Sequence, residues 1–102
     1  MRTYQQFING KLVSPTGFAV IEVENPSTGK IMAQTPNGGR EDGLAALAAA
    51  HKAQNAWAAL PAVARAGYLK KMANLIRKHR LELGRILAEE QAKTHPLAQI
   101  EI

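Results

Sequence analysis

The sequence predicts an α+β fragment in which N-terminal β-hairpins are followed by two or three amphipathic helices. Three observations carry this. Residues 7–13 place Asn-Gly between two short apolar runs, residues 57–93 keep one helical period over a long stretch, and the last stripe has hardly begun when residue 102 is reached. The organisation is a single partial domain: a hairpin region over 1–36, a helical region over 37–93, and the start of an unfinished helix over 94–102.

Phe7-Ile8-Asn9-Gly10-Lys11-Leu12-Val13 is the strongest local signal, because Asn-Gly suits a two-residue hairpin turn with positive φ. The run Phe18 to Glu24 sets Ala19, Ile21 and Val23 against Glu22 and Glu24, the alternation of a strand with one wet side. Asn25-Pro26-Ser27-Thr28-Gly29 is dense in turn formers, and Lys30 to Thr35 gives a further short strand ended by Pro36. Three or four strands therefore open the chain.

Gly39 is placed to cap a helix whose first turn carries Glu41 and Asp42, where carboxylates favour the helix dipole. That helix is expected to run to about Trp57, with small residues along its inner face. In the stretch from Trp57 to Lys93, Pro61 suits a first helical turn. Val63, Ala66, Leu69, Met72 and Ile76 fall on one side of it, while Lys70, Lys71, Asn74, Arg77 and Lys78 fall on the other. His79 and Arg80 interrupt the stripe, so a break is expected there, followed by a second helix from about Leu81 to Gln91. Thr94 or His95 can cap a last helix with Pro96 near its first position. Six or seven residues do not hold a helix alone, since nucleation costs more than one turn returns.

Apolar residues make up 46% of the 102, but 18 of them are alanine, which buries only a methyl group. So short a chain with so little apolar volume is expected to need a covering partner. There is no cysteine, which excludes disulfides, thiolate metal sites and a thiol nucleophile. The N-terminus lacks the apolar core of a secretory signal, and the longest apolar run, Leu44 to Ala50, is far too short to span a bilayer. A soluble, cytoplasmic protein without a membrane partner is expected.

Chemistry-bearing clusters are sparse. His51, His79 and His95 are too widely spaced to share a helix face as metal ligands. Ser14 and Ser27 lie in turns, and Gly38-Gly39 lacks the spacing of a phosphate loop. The net charge is +5, and Lys70 with Arg77 and Lys71 with Lys78 form a positive strip with only Tyr68 nearby for stacking. The strip reads first as the solvated face of an amphipathic helix, with nucleic-acid binding as the lesser reading.

In order along the chain, these motifs resemble the N-terminal region of the aldehyde dehydrogenase family. Phe7-Ile8-Asn9-Gly10-Lys11 resembles its opening hairpin, and Val23-Glu24-Asn25-Pro26-Ser27-Thr28-Gly29 its Asn-Pro-Ala/Ser-Thr-Gly turn. Glu41-Asp42, the alanine-rich helix, Arg65-Ala66 with Leu69, Lys71, Ala73 and Leu75, and Glu90-Gln91-Ala92-Lys93 follow in the family's sequence of features. Residues 59–63 and 97–102 look most like those of lactaldehyde and glycolaldehyde dehydrogenases.

The resemblance implies the outer N-terminal part of an α/β cofactor-binding domain. It also implies a family reaction, oxidation of an aldehyde to a carboxylic acid with NAD or NADP. A cysteine thiolate attacks the aldehyde, hydride passes to the nicotinamide, and a glutamate base hydrolyses the thioester. On the resemblance, the catalytic and cofactor-binding segments lie beyond residue 102. No catalytic residue and no bound cofactor are therefore expected in this chain, which reads as a truncated piece inactive by itself. Its expected partner is the remainder of an aldehyde dehydrogenase or a homologous subunit; the alternative is a small interaction protein that associates with a full-length dehydrogenase subunit. Some family members hold a monovalent cation, and the resemblance maps its ligands onto backbone oxygens of Val23 and Glu24 and the side chain of Glu90. Ala92 stands where the family has glycine, which argues against the family's tight backbone turn there.

Overall fold

The Asn-Gly turn forms as its chemistry dictates. In a computed structural model that describes residues 1–17 and 19–102, Asn9 and Gly10 have φ of 54° and 74°, the paired positive values of a two-residue turn matched to strand twist. The turn joins β2 (Gln6–Ile8) to β3 (Lys11–Val13) in antiparallel register, Ile8 opposite Lys11 and Gln6 opposite Val13.

A second, three-stranded sheet has the order β1-β5-β4, with β1 at Arg2–Thr3, β4 at Val20–Asn25 and β5 at Lys30–Pro36. β1 runs parallel to β5, Arg2 opposite Ala33, a pairing that the two residues of β1 are too few to announce by alternation. The part of the expected strand that falls on Phe18 lies outside the described residues. Between β4 and β5, Asn25 Oδ1 accepts the Ser27 N–H at 2.9 Å, and the Asn25 carbonyl accepts those of Thr28 and Gly29 at 3.1 and 2.9 Å. This is the Asx chemistry the turn residues promised.

Helices follow: α1 (Arg40–Ala59), α2 (Ala62–Lys78), α3 (Arg80–Gln91) and α4 (His95–Glu101). The break expected at His79 and Arg80 is present, with His79 at φ −100° and ψ 14° ending α2 and opening α3. Pro61 sits just before α2 rather than inside its first turn, and its carbonyl accepts the Arg65 N–H at 3.1 Å.

Two compact units make up the chain. The first comprises Met1–Val23 with Ile31–Ala59, and the second Glu24–Lys30 with Leu60–Ile102. In the first, α1 rests on β2, and Ala33 at the centre of β5 is 2% exposed. In the second, α4 lies against α3 through small residues. Gly84 and Ala88, one turn apart on α3, are buried, as is Ala98 on α4. A Cβ at Gly84 would stand 3.0 Å from Gln99 Cγ and 3.5 Å from its backbone, so a larger residue there would make the Gln99 side chain give by a few tenths of an ångström. Lys93 and Glu101 form an ion pair that fastens the end of α4 to the loop preceding it.

A left-handed turn forms at Ala92 although alanine was expected to argue against a tight backbone turn there. Ala92 takes the left-handed conformation, φ 54° and ψ 30°, at the end of α3. An L-residue pays about 1–2 kcal/mol there, partly offset because alanine loses less freedom than glycine on folding. Ala92→Gly is therefore expected to raise stability by about 0.5–1 kcal/mol, read as a higher denaturation midpoint at unchanged slope.

Candidate interaction surfaces

Polar chemistry in the first unit converges on one carboxylate. Gly39 begins α1 by accepting the Gly43 N–H at 3.2 Å, which puts Asp42 in the third helical position. From there Asp42 Oδ2 reaches back to accept the Gly39 N–H at 2.8 Å, the reciprocal half of a capping box. The same carboxylate accepts the Thr16 N–H at 3.2 and 3.3 Å on its two oxygens and the Thr16 hydroxyl at 3.0 Å. It thus ties the loop after β3 to the start of α1 across 26 residues.

The Gly39 N–H bond is the main reason the Asp42 carboxyl titrates below its ordinary value; burial opposes it, and the two Thr16 bonds assist. A lowered carboxyl stabilises the folded form in full above the ordinary aspartate range. That contribution shrinks as pH falls through the range and is gone below the lowered value. Asp42→Ala is expected to abolish this acid dependence and to strip exchange protection from the amides of Thr16 and Gly39, while the β2–β3 hairpin keeps its own. Amide exchange across an acid titration reads both.

This cluster is a structural tie; nothing in it is poised to react. Val23, Glu24 and Glu90 fall on β4, its next position, and the last turn of α3, with both glutamates exposed. Among the described residues no group of three or more His, Cys, Asp or Glu is gathered as for a metal, so the cation role of these three positions rests on the resemblance alone. His79 lies 3.6 Å from Glu82, and the Lys71 ammonium stands over the Tyr68 ring at 5.4 Å. No described helix is long and apolar enough to cross a membrane.

What the molecule presents instead is bare apolar surface. The only buried apolar residues are Ala33, Ala88 and Ala98, among those described, and no large side chain is fully enclosed. Phe7 and Leu12 on the hairpin, with Leu44 and Leu47 on α1, are exposed, and a groove lined by Phe7, Ile8, Ala46, Ala50 and Ala53 runs between the two elements. On α2 the predicted stripe is amphipathic but uncovered: Val63 is 84% exposed, and Leu69, Met72 and Ile76 also face solvent. The chain exposes 8030 Å². A folded monomer of 11.0 kDa exposes roughly 5,600 Å², and two separate units of half that mass roughly 6,800 Å². Against the larger of these figures, more than roughly 1,000 Å² is in excess, the scale of one side of a stable interface.

Hairpins at the front, bare amphipathic helices and a close-packed helix pair at the end make up a small α+β assembly. The chain belongs to the aldehyde dehydrogenase family, whose sequence model matches residues 12–102. It is similar to the lactaldehyde dehydrogenase of Escherichia coli (strain K12), 37% identical over 99 residues that cover 97% of this chain and 21% of the relative. The crystal structure of lactaldehyde dehydrogenase from Escherichia coli superposes with a TM-score of 0.94 at 37% identity, over 98% of this chain and 21% of that one. The 3,6-anhydro-alpha-L-galactose dehydrogenase of Vibrio sp. (strain EJY3) is 34% identical over 102 residues, 100% of this chain and 21% of the relative. A structure of 3,6-anhydro-L-galactose dehydrogenase in complex with NAP superposes at TM-score 0.93 and 31% identity, over 97% of this chain and 21% of that one. The chain thus spans about a fifth of the length of the curated relatives it matches.

Proposed function

We propose that the chain serves as the N-terminal structural layer of a cytoplasmic NAD(P)-dependent aldehyde dehydrogenase, one incomplete domain that neither binds the aldehyde nor oxidises it alone. The observation that carries this is the uncovered apolar surface, with Phe7, Leu12, Leu47, Val63 and Met72 all open to water. The chain also contains no thiol to attack an aldehyde. Its partner is the remainder of a family subunit, which supplies the nucleophile, the base and the nicotinamide site. Identity does not select a substrate, since relatives named for lactaldehyde and for 3,6-anhydro-alpha-L-galactose match at 37% and 34%.

The test is complementation. An Escherichia coli lactaldehyde dehydrogenase shortened by the region matching this chain is mixed with the purified chain, lactaldehyde, and NAD or NADP. Each part alone is expected to give no reduced nicotinamide, and the mixture is expected to restore turnover or, at the least, a stable complex. Turnover by the chain alone, or no association with the shortened subunit, overturns the reading. Binding to an intact subunit but not to the shortened one would instead favour an independent interaction protein.

A further inference from the structure

Two Asn-Gly pairs occur in the first unit, Asn9-Gly10 and Asn37-Gly38, and all four residues are exposed. In this dipeptide the glycine nitrogen can reach the carbonyl carbon of the asparagine side chain, because no Cβ on the second residue stands in its way. Neither glycine N–H is bonded among the described residues, so both nucleophiles are available. What separates the pairs is whether the peptide between the two residues can swing. At the hairpin tip nothing lies within 4 Å of where a Gly10 Cβ would stand, and Asn9 and Gly10 belong to neither strand. The Asn37-Gly38 peptide is clamped on both sides. The Asn37 N–H donates to the Ala19 carbonyl at 3.0 Å, and the N–H of Gly39, next after Gly38, donates to Asp42 Oδ2 at 2.8 Å. Gly38 itself is wedged, since a Cβ there would collide with the Gln6 side-chain amide and stand 3.6 Å from Asp42 Cβ.

We propose that Asn9 is a site of spontaneous deamidation, and that the clamp closed by Asp42 shields Asn37 from the same reaction. Hydroxide takes the Gly10 amide proton, and the nitrogen attacks Asn9 Cγ. The new C–N bond closes a cyclic imide, the Cγ–Nδ2 bond breaks, and the departing nitrogen takes a proton from water and leaves as ammonia. A second water opens the ring. Adding at Cγ, it breaks the new C–N bond and leaves an ordinary aspartate; adding at the main-chain carbonyl carbon, it breaks the original peptide bond and routes the backbone through the side chain as isoaspartate. Both products exchange a neutral amide for a carboxylate, lowering the net charge of +5 by one. Their effects on the hairpin differ. Aspartate before glycine suits the same turn. Isoaspartate adds a methylene to the main chain of a turn that holds its two residues at φ 54° and 74°, and so unseats the pairing of Ile8 with Lys11.

The experiment ages the full chain in mildly alkaline buffer, folded and in urea, and follows each pair by peptide mapping with mass spectrometry and isoaspartate-specific methylation. In urea the two pairs are expected to convert within about twofold of each other, since glycine follows asparagine in both and no clamp survives. In the folded chain Asn9 is expected to convert at least about threefold faster than Asn37, which must wait for the clamp to open. Asp42→Ala is expected to raise conversion of Asn37 at least about threefold, toward its rate in urea, and to leave Asn9 unchanged. Amides of residues 6–13 should lose exchange protection in the isoaspartate form, whereas Asn9→Asp should keep it. Equal conversion of the two pairs in the folded chain, an Asn9 that survives while the chain in urea converts, or an unchanged Asn37 in folded Asp42→Ala overturns the proposal. The comparison of the folded chain with the chain in urea needs no variant, so it decides the matter even where Asp42→Ala fails to fold.

Discussion

Alone in dilute buffer, the chain is expected to light up an apolar fluorescent dye several-fold more strongly than a closed domain of equal mass, and to sediment above 11.0 kDa in a concentration-dependent way. Soluble monomers rarely expose contiguous apolar patches beyond a few hundred Å², yet here the side chains that would fill a core stand on the outside of α1, α2 and the β2–β3 hairpin. Such surfaces find one another when nothing else covers them. Adding the shortened subunit is expected to quench the dye and collapse the sedimentation to a single species. A dye-silent monomer with a sharp, cooperative melt would mean that the surface is satisfied within the chain, and the structural-layer reading would fall.

Ala98→Asp is expected to release α4 from α3. Ala98 is 0% exposed and meets a surface whose buried residues are Gly84 and Ala88. A carboxylate there would be buried against that small-residue surface, and the cost, at least about 3 kcal/mol, exceeds what a seven-residue helix can bear when its own nucleation is unfavourable. Amides of residues 95–101 should lose their exchange protection together, while those of α2 and of the first unit keep theirs. Leu97→Asp, at a neighbouring exposed position, should leave protection in place. If Ala98→Asp keeps α4 protected, the small-residue contact is not what holds that helix.

Elements specified by local chemistry were readable before the structure. The Asn9-Gly10 turn, the break at His79, the Gly39 start of α1 and the Thr94-Pro96 start of α4 each depend on a few adjacent residues, and each is where those residues put it. Pairings between distant residues were not readable. Nothing in Arg2 or Thr3 announces a parallel partner at Ala33 and Gln34. Nor does Thr16 announce Asp42, although Asp42 three residues after Gly39 was a capping signal that pointed to half of that arrangement. Ala92 shows the converse, a residue whose type argued against a backbone conformation that its surroundings nonetheless impose.

β5 has seven residues, and its parallel neighbour β1 pairs with it at Ala33 and Gln34, with one more bond from the Tyr4 N–H to the Gln34 carbonyl. Along that side the ladder is therefore capped for less than half its length, and Pro36 offers no amide. An uncapped stretch of strand is a template for a foreign strand. Misassembly of the isolated polypeptide would start at Lys30–Met32, which among the described residues the pairing with β1 does not reach, rather than on the helices, whose ladders are closed within themselves. A charged substitution at Ile31 would act there as a gatekeeper, discouraging fibrils without touching any surface that docking requires on the helices.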